Sequence, residues 1–166
     1  RVELDRSLRR LARAGKLGVE LFAQQGLAGI GALEGDDQRV GTIDADRRKG
    51  RLVILESIVT SVDASGHVNI APMGPRVIGD PYAEDPSALR FQLRPFNTSQ
   101  TYRNVLTTPR AVIHVTDDAE LFAKAAVSEL DEETTGGLLR RLDQTDWWTL
   151  RDCHRWYAVE VDTVSD

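Results

Sequence analysis

The side chains best suited to holding an anion fall in two short stretches of this chain. Thr60, Ser61, Asn69, Ala71, Pro72 and Met73 lie in the run ILESIVTSVDASGHVNIAPM, and Arg94, Ser99, Thr101 and Asn104 lie in RPFNTSQTYRN. Arg94 supplies a guanidinium able to grip a phosphate through paired hydrogen bonds. Ser99 and Thr101 stand where a helix would begin, and a helix start offers unpaired N–H groups and the positive end of the dipole. The segment Ala71-Pro72-Met73-Gly74 lets backbone approach a planar ring, while Thr60, Ser61 and Asn69 offer polar partners for a ring edge. Each residue also has an ordinary role, Ser99 as a helix cap, Asn69 at a strand edge and Pro72 to Gly74 as a loop. By themselves they define a candidate anion site.

Other chemistries find less support. His67, His114 and His154 are 47 and 40 positions apart and have no metal-ligand spacing around them, so no metal is expected. No G-x-S-x-G surrounds any serine, which argues against a serine hydrolase. Cys153 adjoins His154, but neighbours along a chain rarely face each other productively, and a single cysteine is most simply a packing residue. Gly29-Ile30-Gly31 lacks the third glycine of a dinucleotide fingerprint, because Glu34 stands in its place. No catalytic acid or base is identifiable.

The elements that must position the anion site are mostly strands. Leu52 to Val62 is rich in β-branched residues, Asp63-Ala64-Ser65-Gly66 has turn chemistry, and His67 to Ile78 resumes the β pattern, which predicts a hairpin. Leu89, Phe91 and Leu93 alternate with Arg90, Gln92 and Arg94 as in a half-buried strand. Ser99 is placed to cap a helix from Gln100 to about Thr107, closed by Pro109, before a strand from Ala111 to Val115. Asp117 or Asp118 begins a further helix, Leu138, Leu139 and Leu142 predict another after Gly136-Gly137, and Trp156 to Val161 reads as a last strand without a later partner. The fold class expected is mainly β with α, an α+β barrel or sandwich.

At 166 residues, with 41% hydrophobic and 28% charged residues, the chain suits one core. Its net charge of −5 and pI near 5.3 argue against general nucleic-acid binding. No apolar run approaches the roughly 20 residues that cross a bilayer, and the start lacks an apolar signal core, so a cytoplasmic location without membrane contact is expected. Residues 1–50 differ from the rest. Leu4, Leu8 and Leu11 have helical spacing among basic residues, which predicts a helix near residues 3–14. Six glycines between Gly26 and Gly50 then predict a flexible extension that adds little to the core.

The segments LESIVTSVDASGHVNIAPMGPRV, LRPFNTSQTYRNVL and AVIHVTDDAELFAKAA resemble a family of uncharacterised FMN-binding split-barrel proteins related to flavin reductases and, more distantly, to pyridoxamine phosphate oxidases. The likeness runs from about Arg51 to Val161. It implies an FMN-binding split β-barrel with peripheral helices over residues 51–166, cut short at its C-terminal end relative to the family. It also implies a homodimer, with FMN held by Thr60, Ser61, Asn69, Ala71, Pro72, Met73, Arg94, Ser99, Thr101 and Asn104. The implied function is a flavin-dependent oxidoreductase of unknown small-molecule substrate, with NAD(P)H as an electron donor to test. The alternative is a non-catalytic flavin- or ligand-binding module.

Overall fold

In a computed structural model, residues 18–30, 53–78, 89–127, 130–142 and 145–165 are described. Ten strands and three helices are present among them, in an α+β arrangement. The strands are β1 (Gly18–Ile30), β2 (Val53–Ile54), β3 (Ser57–Val62), β4 (Val68–Met73), β5 (Arg76–Ile78), β6 (Arg90–Leu93), β7 (Arg110–Val115), β8 (Leu139–Arg141), β9 (Trp148–Leu150) and β10 (Arg155–Ser165). The helices are α1 (Gln100–Thr107), α2 (Ala119–Ala126) and α3 (Glu132–Leu138). Eight strands form one sheet in the order β2-β5-β6-β1-β10-β7-β3-β4, and β8 pairs β9 separately.

Connectivity shows that the large sheet curls. β4 ends the sheet on one side, yet only Gly74 and Pro75 separate it from β5 near the other side. Two intervening residues span roughly 10 Å at most, so the two edges lie close together. A hydrogen bond from Leu55 N to Pro75 O (3.0 Å) ties the β2–β3 and β4–β5 connections to each other. The strand ladder is not closed at that seam.

Alternation along the central strands builds two cores from one sheet. Val59 of β3, Phe91 and Leu93 of β6, Ala111 and Ile113 of β7, and Tyr157 and Val159 of β10 pack into one cluster with Val105 of α1. Because β6 and β3 are remote in strand order but share this cluster, it fills the inside of the curl. Phe91 and Tyr157 meet there with ring centroids 5.1 Å apart. Their neighbours in sequence, Ile58, Val112, Trp156 and Ala158, pack on the opposite face with Leu121 and Ala125 of α2 and with Leu139 and Leu150 of the β8–β9 pair. Strands β3 and β7 are therefore buried on both faces, which is why AVIHV reads as an uninterrupted apolar run.

The hairpin, the Leu89 to Leu93 alternation and the Ser99-capped helix are all present. The turn after β3 closes through Gly66 N to Asp63 O (3.1 Å), and Gly66 takes φ of +92°, a conformation that side-chain-bearing residues rarely adopt. Asp118, one of the two aspartates expected to open α2, is its cap and accepts from Leu121 N.

Three expectations are corrected. The long strands Leu52 to Val62 and His67 to Ile78 are each broken, because the chain passes from one sheet edge to the other at Leu55-Glu56 and at Gly74-Pro75. The helix expected after Gly136-Gly137 begins before them and contains them. Asp131 caps α3 by accepting from Thr134 N, the glycines sit in its last turn, and Leu139 opens a strand that pairs with β9.

The third correction concerns the N-terminal segment. Gly18–Ile30, expected to belong to an extension outside the barrel, is a strand between β6 and β10. Val19 pairs Leu93 on one side and Val164 on the other, so backbone hydrogen bonding holds a segment whose glycines suggested looseness. Between Ala23, opposite Val159, and Ala28, opposite Tyr157, the register shifts, five positions passing on β1 for two on β10, and Gly26 lies in that irregular stretch. β10 thus finds a partner earlier in the chain, not later. The helix expected near residues 3–14 and the glycine-rich residues 31–50 lie outside the described residues.

Candidate functional site

The start of α1 gathers polar groups from three elements. Ser99 caps the helix, its Oγ accepting from Tyr102 N (3.1 Å) and donating to Phe96 O (2.7 Å). The first turn holds no acidic residue. The backbone N–H groups of Gln100 and Thr101 meet no acceptor among the described residues. Arg103, one turn along, folds back over this end. Its Nη1 donates to Thr98 O (2.7 Å), and its Nε and Nη2 donate to Gln100 Oε1 (3.2 and 2.8 Å). A guanidinium beside the positive end of a helix dipole is an arrangement that favours an incoming anion.

From there a continuous seam runs inward. Gln100 Nε2 donates to Asn104 Oδ1 (2.6 Å), and Asn104 Nδ2 donates to Ser61 Oγ (3.1 Å) on β3. In parallel, Asn69 Nδ2 on β4 donates to Thr101 Oγ1 (3.0 Å). Ser61 and Asn69 are directly opposite in the β3–β4 register, so two adjacent bonds fasten α1 to the hairpin. Ser61, Thr101 and Asn104 are each only 1% exposed. They hold the joint, while half-buried Asn69 and Ser99 and exposed Gln100 and Arg103 border solvent.

Five of the ten sequence-predicted residues, Ser61, Asn69, Ser99, Thr101 and Asn104, are brought together in this way. Ala71, Pro72 and Met73 lie on β4, the end strand of the sheet, half-buried, with Met73 O accepting from Ser57 Oγ (2.9 Å). Proline is tolerated at an edge, where no further ladder needs its missing N–H. Thr60 sits apart, its Oγ1 donating to Trp148 O (2.8 Å) of β9. Arg94 is exposed at the end of β6 and makes no hydrogen bond or ion pair to another described residue. Sequence reasoning missed Gln100 and Arg103. The available signal was their spacing from Ser99, since Arg103 at four positions on returns to the same side of the helix.

The remaining reactive side chains are quieter. Cys153 is buried, and that burial pushes its thiol up to about 11, so it stays protonated and poorly nucleophilic. Its neighbour His154 pairs instead with Asp117 through Nε2 (2.9 Å). His67 pairs with Asp63 across the hairpin turn (3.3 Å). His114 is fully buried, with Ile58 O, Leu150 N and Thr149 Oγ1 around its ring. No helix among the described residues is long and apolar enough to cross a membrane.

The family model described as the N-terminal domain of a protein of unknown function (DUF447) matches residues 55–166. No curated protein matches the chain. Among solved structures, the chain is similar to an FMN-bound protein from Methanosarcina mazei that carries the same family label. Identity is 18% and the TM-score 0.45, over 74% of this chain and 65% of that one. The chain thus spans less than two thirds of that protein's length.

Proposed function

The chain belongs to the DUF447 N-terminal domain family, and from that premise we propose that it is an FMN-binding flavoprotein whose phosphate site is the start of α1. The observation that carries this reading is Arg103 folded over a helix N-terminus that has free N–H groups and no acid in its first turn. FMN is the anion named by the sequence resemblance, and the donor set suits a phosphate monoester. Tyr102 Oη, in the same turn, is buried without a partner among the described residues.

In this reading Ser99, the Gln100 and Thr101 N–H groups and Arg103 hold the phosphate. Asn69 and the Ala71-Pro72-Met73 edge of β4 border the ring, and Ser61, Thr101 and Asn104 keep α1 fixed against the hairpin. Bound FMN would supply hydride or single-electron transfer, which the described side chains do not offer on their own. The reaction class we propose is oxidoreductase, with NADH or NADPH as donor. The curled sheet is read as a split barrel, and β4, the end strand of the sheet among the described residues, is where a second copy would complete a symmetric homodimer with one flavin site per subunit.

Purified protein is expected to be yellow, or to become yellow with added FMN, and to bleach with NADH or NADPH when oxygen is absent. Yellow protein that neither nucleotide bleaches supports the binding module instead. Protein that is colourless and takes up no FMN overturns both readings. The phosphate assignment has its own check by titration with FMN and with riboflavin. Arg103→Ala is expected to weaken FMN by about 1.5–3 kcal/mol, roughly ten- to hundredfold, and riboflavin far less. Arg94→Ala, tested alongside, is expected to have the smaller effect because Arg94 is not tied to the helix start. Equal losses for the two ligands in Arg103→Ala would make Arg103 structural.

A further inference from the structure

An open cleft of about 440 Å³ lies at the turn end of the β3–β4 hairpin, the end to which α1 is also fastened, between the turn and the β8–β9 pair. Two arginines and a tryptophan line it, Arg110 from the start of β7, Arg141 from β8 and Trp148 from β9. Asp146 faces both guanidinium groups, Oδ1 toward Arg141 and Oδ2 toward Arg110 Nη2 at 3.6 Å. One carboxylate thus serves two cations. The other carboxylate in the wall, Asp63, is occupied within its own turn, accepting from Ser65 N, His67 N and His67 Nδ1.

Arg110 is the least satisfied of these groups. Its side chain is 30% exposed, and it makes no hydrogen bond to any described residue. Its Nε is shielded from solvent without a partner among the described residues, and besides Asp146 its support is the Trp147 ring, whose centroid is 5.7 Å from the guanidinium carbon. Arg141 is better anchored, through Nε to Thr145 O at 2.6 Å, with its end at the cleft. A guanidinium with most of its five donors unused, next to a second one and a half-buried indole, is built to receive an acceptor-rich group attached to a flat molecule.

We propose that this cleft is a second small-molecule site, which takes a planar, ring-bearing anion whose carboxylate or phosphate sits between Arg110 and Arg141 while its ring lies against Trp148. The site does not depend on the flavin reading, since none of the groups that hold its anion belongs to the α1 seam.

The test uses benzoate, phenyl phosphate and benzamide, one ring with three head groups, titrated against the full chain by tryptophan fluorescence and repeated with FMN present. Saturable binding of benzoate or phenyl phosphate is expected, with benzamide at least about tenfold weaker, as loss of a charge-assisted contact requires. Whichever anion binds more tightly identifies the head group. Arg141→Gln, at an exposed position, and Arg110→Lys are each expected to weaken the better anion about tenfold or more while leaving the thermal midpoint and FMN uptake nearly unchanged. Equal binding of benzamide and benzoate, no binding of either anion, or full binding in both variants overturns the proposal. Competition between FMN and the anions also overturns it, because the cleft would then be part of the flavin's own site.

Discussion

Deleting residues 1–30 is expected to leave a chain without a cooperative thermal transition and without ligand binding. β1 lies between β6 and β10 in the eight-stranded sheet, so its loss separates β2-β5-β6 from β10-β7-β3-β4. Val19 to Phe22 would no longer pair with β6, and β10 would lose its ladder from Val164 to Arg155. Backbone groups of two interior strands would then be unpaired, each costing about as much as a lost hydrogen bond. The inner core suffers as well, because Phe91 and Leu93 of β6 meet Tyr157 and Val159 of β10 only while β1 holds those strands in place. Together these losses exceed the roughly 5–15 kcal/mol by which a domain of this size is stable. A chain beginning at Lys16 keeps the strand and is the control. Circular dichroism melts of the two decide the matter, and a sharp transition in the shorter chain would show that β1 is dispensable.

That outcome reverses what the N-terminal sequence suggests, and the reason is physical. Glycine content and charge report local preference, whereas β1 is held by hydrogen bonds to strands about 70 and 140 positions later, which no local pattern records. The hairpin and α1 were legible for the opposite reason. Asp63 to Gly66 and Ser99 encode their turn and cap within a few residues, so short-range chemistry fixes them. The candidate site divides along the same line. Ser99 announces itself as a cap, and the T-x-x-N spacing places Thr101 and Asn104 one turn apart, toward the hairpin. Arg94 looked like the phosphate cation because it is a strand-end arginine near the motif, but the guanidinium that lies over the helix start belongs to Arg103. Thr60 and Ser61 are adjacent and alike in type, yet the period of two in a strand sends one to β9 and the other to α1. Choosing between them required the register.

His114 shows what a side chain with no part in the candidate site contributes. It is expected to give the largest stability loss of any single replacement considered, and a distinct pH signature. Its Nδ1 lies 3.0 Å from Ile58 O, and its Nε2 lies 3.1 Å from both Leu150 N and Thr149 Oγ1. A carbonyl accepts and a backbone N–H donates, so the neutral ring with hydrogen on Nδ1 satisfies both, and a proton on Nε2 would face the Leu150 N–H. Burial holds its pKa down to about 4, against the raising effect of the Ile58 hydrogen bond. His114→Leu leaves Ile58 O and Leu150 N unpaired in the core, at roughly 3–5 kcal/mol for the pair. The pH effect follows from the depressed value. Between about 6.5 and about 4 the unfolded chain takes up a proton that the folded one refuses. The contribution of this group is therefore complete above about pH 6.5 and is lost as pH falls toward 4, a difference of about 3 kcal/mol. His114→Gln can keep one donor and one acceptor but does not titrate. Urea midpoints measured from pH 7 to pH 4 are expected to fall more steeply for the parent chain than for His114→Gln, whose remaining slope belongs to carboxylates such as Asp63 and Asp131 that both chains share. Parallel curves for the two proteins would mean that His114 is protonated in the folded state, and that the neutral link it makes between β3, β7 and β9 is wrongly assigned.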